Sequence, residues 1–119
     1  MRKNIIVENS FQFAVKMLRL YKLLINNGEY VISRQLLRCS TSIGANVFEA
    51  TAAVSRKDFI NKMAIASKEA RETYFRLRLV QEGELVNLEV EEYIDDVNEL
   101  IRILTAIVKT SSGKLTALK

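Results

Sequence analysis

The sequence predicts an all-α protein, an antiparallel up-and-down four-helix bundle, from three observations. Proline is absent and glycine occurs only 4 times in 119 residues, so little in the chain breaks a helix. Apolar residues recur at alternating spacings of three and four in four separate stretches, the period of one helix face. The gaps between the stretches are short, which sets consecutive helices antiparallel. This length suits a single domain, residues 1–119, with helices expected at about 9–27, 31–53, 56–82 and 89–110 and a flexible tail over 111–119.

In the first helix Phe11, Ala14, Leu18, Tyr21 and Ile25 form one apolar row, with Asn9 or Ser10 as N-cap and Gly28 as the stop. A second row, Phe13, Met17, Leu20 and Leu24, runs beside it. The second helix is defined by Leu36, Ser40, Ile43, Val47, Ala50 and Val54, a heptad seam that passes straight through the small, polar stretch Cys39-Ser-Thr-Ser-Ile-Gly-Ala-Asn46. Ser42, Gly44, Ala45, Asn46 and Glu49 are read as helix-packing or interface residues, because small side chains let a neighbouring backbone approach closely. Gly44 costs about 1 kcal/mol against Ala in a helix interior, so close contact or a bend must offset it. Asn46 and Glu49, if buried there, need partners.

The third helix opens on Ser55-Arg-Lys-Asp58, a capping box with Asp in place of Glu, and Phe59, Met63, Ala66, Ala70, Tyr74 and Leu77 share its inner face up to a stop at Gly83. Glu72 stands four residues before Arg76, the order that favours an exposed pair along one helix. In the fourth, Val90, Ile94, Val97, Ile101, Leu104 and Val108 keep the rhythm. Glu89, Glu91 and Glu92 come early and Lys109 late, as the helix dipole prefers. A second row, Tyr93, Val97, Leu100, Leu104 and Ile107, again doubles the apolar face. Doubled rows on two helices give more apolar surface than one small bundle needs, so association with further copies is expected. A compact monomer packed on wide faces is the alternative.

The net charge of +4 conceals an asymmetry: residues 1–78 hold 14 Lys and Arg against 6 Asp and Glu, and residues 79–119 hold 4 against 8. A basic excess of this kind suits nucleic acid. Candidate phosphate contacts are Lys16, Arg19 and Lys22 on the first helix and Lys62, Lys68, Arg71, Arg76 and Arg78 on the third, with Arg56 and Lys57 at its start. Solvated helix faces and pairing between a basic and an acidic half would produce the same bias. The basic residues of the third helix lie all round it, which weakens a single binding stripe.

Catalysis has little to build on. Histidine is absent, which removes the commonest general base and metal ligand. The single cysteine, Cys39, lies near the heptad seam and reads as a buried thiol rather than a nucleophile. Glu92, Asp95, Asp96 and Glu99 share one side of the fourth helix, where a solvated face is favoured over a site for a hard cation. No phosphate loop, cysteine cluster or nucleophile elbow occurs. No catalytic residue, cofactor site, metal site or small-molecule substrate is expected. The lone cysteine, the lack of a signal-like start and the lack of a long uncharged apolar run point to a cytoplasmic protein with no membrane role.

The segments RQLLRCSTSIGANVFEA and SRKDFINKMAIASKEARETYFRLRL carry a distinctive pattern. A Q-L-L-R stretch precedes S-I-G-A-N and E-A, then S-R-K-D-F and A-S-K-E-A-R-E. In this the chain resembles the four-helix-bundle proteins encoded within intervening sequences of bacterial 23S ribosomal RNA genes, which carry a ribosomal-protein-like label. The resemblance spans about residues 10–110; Gly44 stands where many relatives have proline, and Phe48 where a small residue is common. It implies an up-and-down bundle assembled as a ring of five, with an unknown molecular role. The chain also resembles the accessory variability determinant of diversity-generating retroelements, which implies a basic pentamer associated with nucleic acid and reverse transcriptase. Two readings follow: an oligomeric protein with weak, sequence-tolerant binding of RNA or DNA, or a protein-assembly module with no nucleic-acid role.

Overall fold

The computed structural model describes residues 2–117, with side chains over residues 5–113. Its elements are α1 (Arg2–Asn26), α2 (Val31–Ala50), α3 (Arg56–Gly83) and α4 (Glu91–Ala117). Each helix packs on the next, and α4 returns to α1 to close the bundle; α1 and α3 are diagonal, as are α2 and α4. The α1–α4 contact is the sparsest of the four. The body is elongated, 52 × 23 × 23 Å.

The turns follow local chemistry. Gly28 takes a left-handed φ of 82° after α1. There its N–H bonds to Ile25 and that of Glu29 to Leu24, both at 3.0 Å, which satisfies the last carbonyls in a Schellman arrangement. Glu29 then caps α2 with its side chain: Oε1 accepts from the N–H of Ile32 at 2.6 Å and Ser33 at 3.2 Å, and Oε2 from Val31 at 3.1 Å. At α3, Ser55 Oγ accepts from the Asp58 N–H at 3.0 Å, the expected half of the capping box. The reciprocal bond reaches one residue further back, from the Val54 N–H to Asp58 Oδ2 at 3.3 Å.

The structure moves several expected boundaries and faces. Asn9 and Ser10 do not cap α1; they lie inside a helix that begins at Arg2, and Ser10 is buried with Oγ bonded to the Val7 carbonyl. The inner row of α1 is Ile6, Phe13, Met17, Leu20 and Leu24, whereas Phe11 and Leu18 point outward. Period alone fits both rows equally, and only the neighbouring helices choose between them. Val54 is no part of the α2 seam: the helix stops at Ala50 and Val54 is 93 % exposed in the turn. Gly83 is still helical, and the left-handed residue that ends α3 is Glu84, with φ of 50°. The tail expected to be flexible from Ser111 continues α4 as far as Ala117, because Ser111 keeps the register of Leu104 and Val108 and is itself buried. Residues 118 and 119 of that tail lie outside the described residues.

Candidate interaction surfaces

Most of the expected phosphate-binding residues are engaged within the fold. Lys16 reaches across to α4, where Nζ hydrogen-bonds Asp96 Oδ2, lies 3.3 Å from Glu92 Oε1 and stands 5.4 Å from the centre of the Tyr93 ring. The bond to Asp96, more than any other influence, holds its pKa above the ordinary lysine value. Lys62 Nζ lies 2.9 Å from Glu49 Oε1, and that bond raises its pKa too. Arg71 donates to Thr105 Oγ1 at 3.0 Å and Arg76 to Gln35 Oε1 at 2.7 Å. Arg78 donates to the Tyr74 hydroxyl at 3.0 Å and to Glu82 at 3.3 Å.

Arg19, Lys22 and Lys68 remain exposed, and among the described residues none of them has an ion pair or side-chain hydrogen bond. They do not form one stripe, because Arg19 and Lys22 belong to α1 and Lys68 to its diagonal neighbour α3. Arg56 and Lys57 are exposed at the far end of the bundle from Lys22.

The small-residue stretch of α2 divides between two neighbours. A β-carbon added at Gly44 would meet the Ser10 carbonyl oxygen at 3.3 Å, so α1 and α2 approach closely at Gly44. Cys39 faces α3 instead: it is fully buried, and Thr73 donates to its Sγ at 3.2 Å. Burial, the largest influence, pushes the Cys39 thiol up, which disfavours the thiolate. Ala45 is exposed and does not share the Gly44 contact. Ser42 Oγ and Asn46 Nδ2 both turn back onto their own helix, to the Arg38 carbonyl at 2.8 Å and the Ser42 carbonyl at 2.9 Å. Glu49 pairs with Lys62 of α3. Gly44 and Glu49 therefore serve separate contacts with α1 and α3, and the five residues form no common polar site.

Sequence reasoning missed a polar seam between α2 and α3. Glu72 does not pair with Arg76 along its own helix; it takes Arg38 across the seam at 2.9 Å, while Arg76 takes Gln35. Arg38 also lies 3.7 Å from Glu69, whose Oε2 is buried without a hydrogen bond, as is Arg76 Nε. The signal was present, since Gln35 and Arg38 share one flank of α2 and Glu69, Glu72 and Arg76 one flank of α3.

Two surfaces look outward. On α1 and α2, Phe11 is 58 % and Phe48 68 % exposed, with Leu18 two turns along α1 from Phe11. Between α1 and α4 an open groove of about 420 Å³ is lined by Asn9, Gln12, Phe13, Lys16, Asp96, Glu99 and Leu100. Among the described residues no group of acids, Cys or His is arranged to hold a metal ion, and no helix is long and apolar enough to cross a membrane.

A bundle of four helices with this α2–α3 motif pair invites comparison with known proteins. The profile described as 23S rRNA-intervening sequence protein matches residues 2–106. The chain belongs to that family. A crystal structure of a protein of unknown function from the S23 ribosomal protein family of Bacteroides thetaiotaomicron is 45 % identical, with a TM-score of 0.87 over 92 % of this chain and 99 % of the other. No curated protein matches the chain. Neither the family description nor that of the Bacteroides protein names a reaction.

Proposed function

We propose that this protein is a non-enzymatic assembly module that works as a cytoplasmic homo-oligomer, five copies being the number the family resemblance implies. One observation carries the reading: large apolar side chains, Phe11, Leu18 and Phe48, face water beside the α1–α2 crossing, although the bundle already buries a complete core. Such side chains are costly to leave wet and mark surfaces made for contact. Sedimentation velocity at micromolar concentration tests it. A single species larger than a monomer, shifted towards monomer by the double variant Phe11→Ser, Phe48→Ser, is the expected result. A monomeric parent protein refutes the reading.

Weak nucleic-acid binding is the second reading, favoured by the exposed cations that the fold leaves without a partner. Arg19, Lys22 and Arg34 are exposed on α1 and α2 without an ion pair among the described residues, and repetition around an oligomer would sum their fields. Contacts of this kind reach phosphates and carry no base specificity. Filter binding of RNA, single-stranded and duplex DNA at about 50 mM salt checks it. Replacing Arg19, Lys22 and Arg34 with Gln should abolish retention without changing oligomer size, and no retention by the parent refutes it.

A further inference from the structure

A second apolar patch stays wet on the other side of the bundle from α1. Phe75 is 59 % and Leu79 39 % exposed on α3, and Val31, at the start of α2, is 68 % exposed. The three belong together. Phe75 and Leu79 lie one turn apart, and Leu79 shares with Glu72 and Arg76 the flank of α3 that meets α2. Val31 shares with Gln35 and Arg38 the matching flank of α2, and the Gln35–Arg76 bond sets it level with Val80, next to Leu79. A contact between two copies of the α1–α2 face would leave this patch in water.

The two patches agree in level and in charge. Ser10 faces Gly44 and Gln35 bonds Arg76, so counting along the antiparallel helices puts Leu18 level with Leu36, and Leu36 level with Phe75. The same count puts Phe11 level with Lys68, an exposed cation without an ion pair among the described residues and suited to an aromatic face. Beside the first patch, Lys22 follows Leu18 by one turn and Arg34 is level with Leu20, and neither has an ion pair among the described residues. Beside the second, Glu82 follows Leu79 by one turn, and the Gln81–Glu91 bond sets Asp95 of α4 level with Leu77. Glu82 is held only by Arg78 of its own helix, and Asp95 has no ion pair among the described residues. Cations thus flank one patch and carboxylates the other at the same height along the bundle, the complementarity that fixes register between partners.

We infer that the protein assembles head to tail, the α1–α2 face of one copy (Phe11, Leu18, Phe48) covering the α3 patch of the next (Phe75, Leu79, Val31). This rests on the assembly reading above and adds to it the second face, which that reading leaves open. Equal levels mean that neighbouring copies lie parallel without a shift along their helices. In a four-cornered bundle the α1–α2 side and the α3 corner diverge by more than a right angle and less than a half-turn. A contact of two different faces repeated at such an angle closes into a ring rather than a filament.

Sedimentation velocity of the full chain tests this, with far-UV circular dichroism confirming that each variant keeps its helices. The parent should be larger than a monomer, and Phe75→Ser, Leu79→Ser should sediment as a monomer at the same concentration, as should Phe11→Ser, Phe48→Ser. Mixed in equal amounts, the two monomeric variants should form a dimer containing one copy of each and nothing larger, because each supplies the intact face that the other lacks. Val31→Lys, at the α2 edge of the patch, is a separate probe and should also shift the parent towards monomer. A Phe75→Ser, Leu79→Ser variant of parental size overturns the inference and leaves the α1–α2 face pairing with itself. A mixture of the two variants that stays monomeric overturns it as well. A monomeric parent is a different result, since it refutes the assembly reading and this inference with it.

Discussion

The carbonyl oxygen of Ser10 lies 3.3 Å from the point where a β-carbon on Gly44 would stand, so α1 and α2 meet backbone to backbone at that level. Ser10 is itself fully buried there, one small residue facing another. The glycine therefore has a packing reason that offsets its poor helix propensity.

Gly44→Leu should destabilise the protein by about 1–3 kcal/mol, because the side chain has only backbone to push against. Gly44→Ala sets a helix-propensity gain of up to ~1 kcal/mol against that tight contact and should stay near the parent. Ala45→Leu, one residue on and exposed, should change stability by less than ~0.5 kcal/mol. Thermal melts of the three variants check this, and equal melting of Gly44→Leu and Ala45→Leu would contradict it.

Glu29→Ala should cost about 1 kcal/mol, since the side chain takes up otherwise unpaired N–H groups of Val31, Ile32 and Ser33 at the start of α2. Glu29→Asp is too short to reach the same three donors and should recover only part of the loss. Urea denaturation midpoints at constant slope measure both.

Lys16 offers a test at high pH. Its pKa is raised in the fold above the ordinary 10.5, first by the hydrogen bond to Asp96, so its pairing stabilises the protein fully below that value and is lost as pH climbs through the folded one. The melting-temperature gap between the parent and Lys16→Gln should be constant from pH 7 to 9 and shrink above about 10.5. Partial exposure keeps the gap to about 1 kcal/mol or less at neutral pH. A gap that widened above pH 10.5 would reverse the sign argued here.

Cys39 should resist thiol reagents. It is fully buried, Thr73 donates to its sulfur, and burial raises its pKa, so both access and thiolate are lacking. Labelling by a disulfide reagent at pH 8 should be at least ~100-fold slower in the native protein than in denaturant, limited by opening of the α2–α3 contact. Rapid native labelling would place the thiol at the surface.

Helix number, order and type were legible in the residues, because the 3.6-residue period, the Ser55 start signal and the Gly28 stop signal are local chemistry that needs no partner. So was membership of the family, whose α2 and α3 motifs are contiguous in the chain. The candidate site was legible only in part. Gly44 was recognised as a contact, but Ala45 was not separable from it, since one residue's rotation about the helix decides which of the two meets α1.

The sequence by itself determined that this chain makes four amphipathic helices and carries its excess basic charge in residues 1–78. Only the tertiary structure decided that Phe13 and Met17 turn inward while Phe11 and Leu18 turn out, because two adjacent rows have the same period and differ only in which neighbour covers them. It likewise decided that Lys16 is spent on Asp96, that Glu72 takes Arg38 in preference to Arg76, and that a groove opens beside Phe13 and Leu100. Those partners stand 80, 34 and 87 residues apart in the chain, beyond the reach of any local pattern, and they meet only where two helices cross.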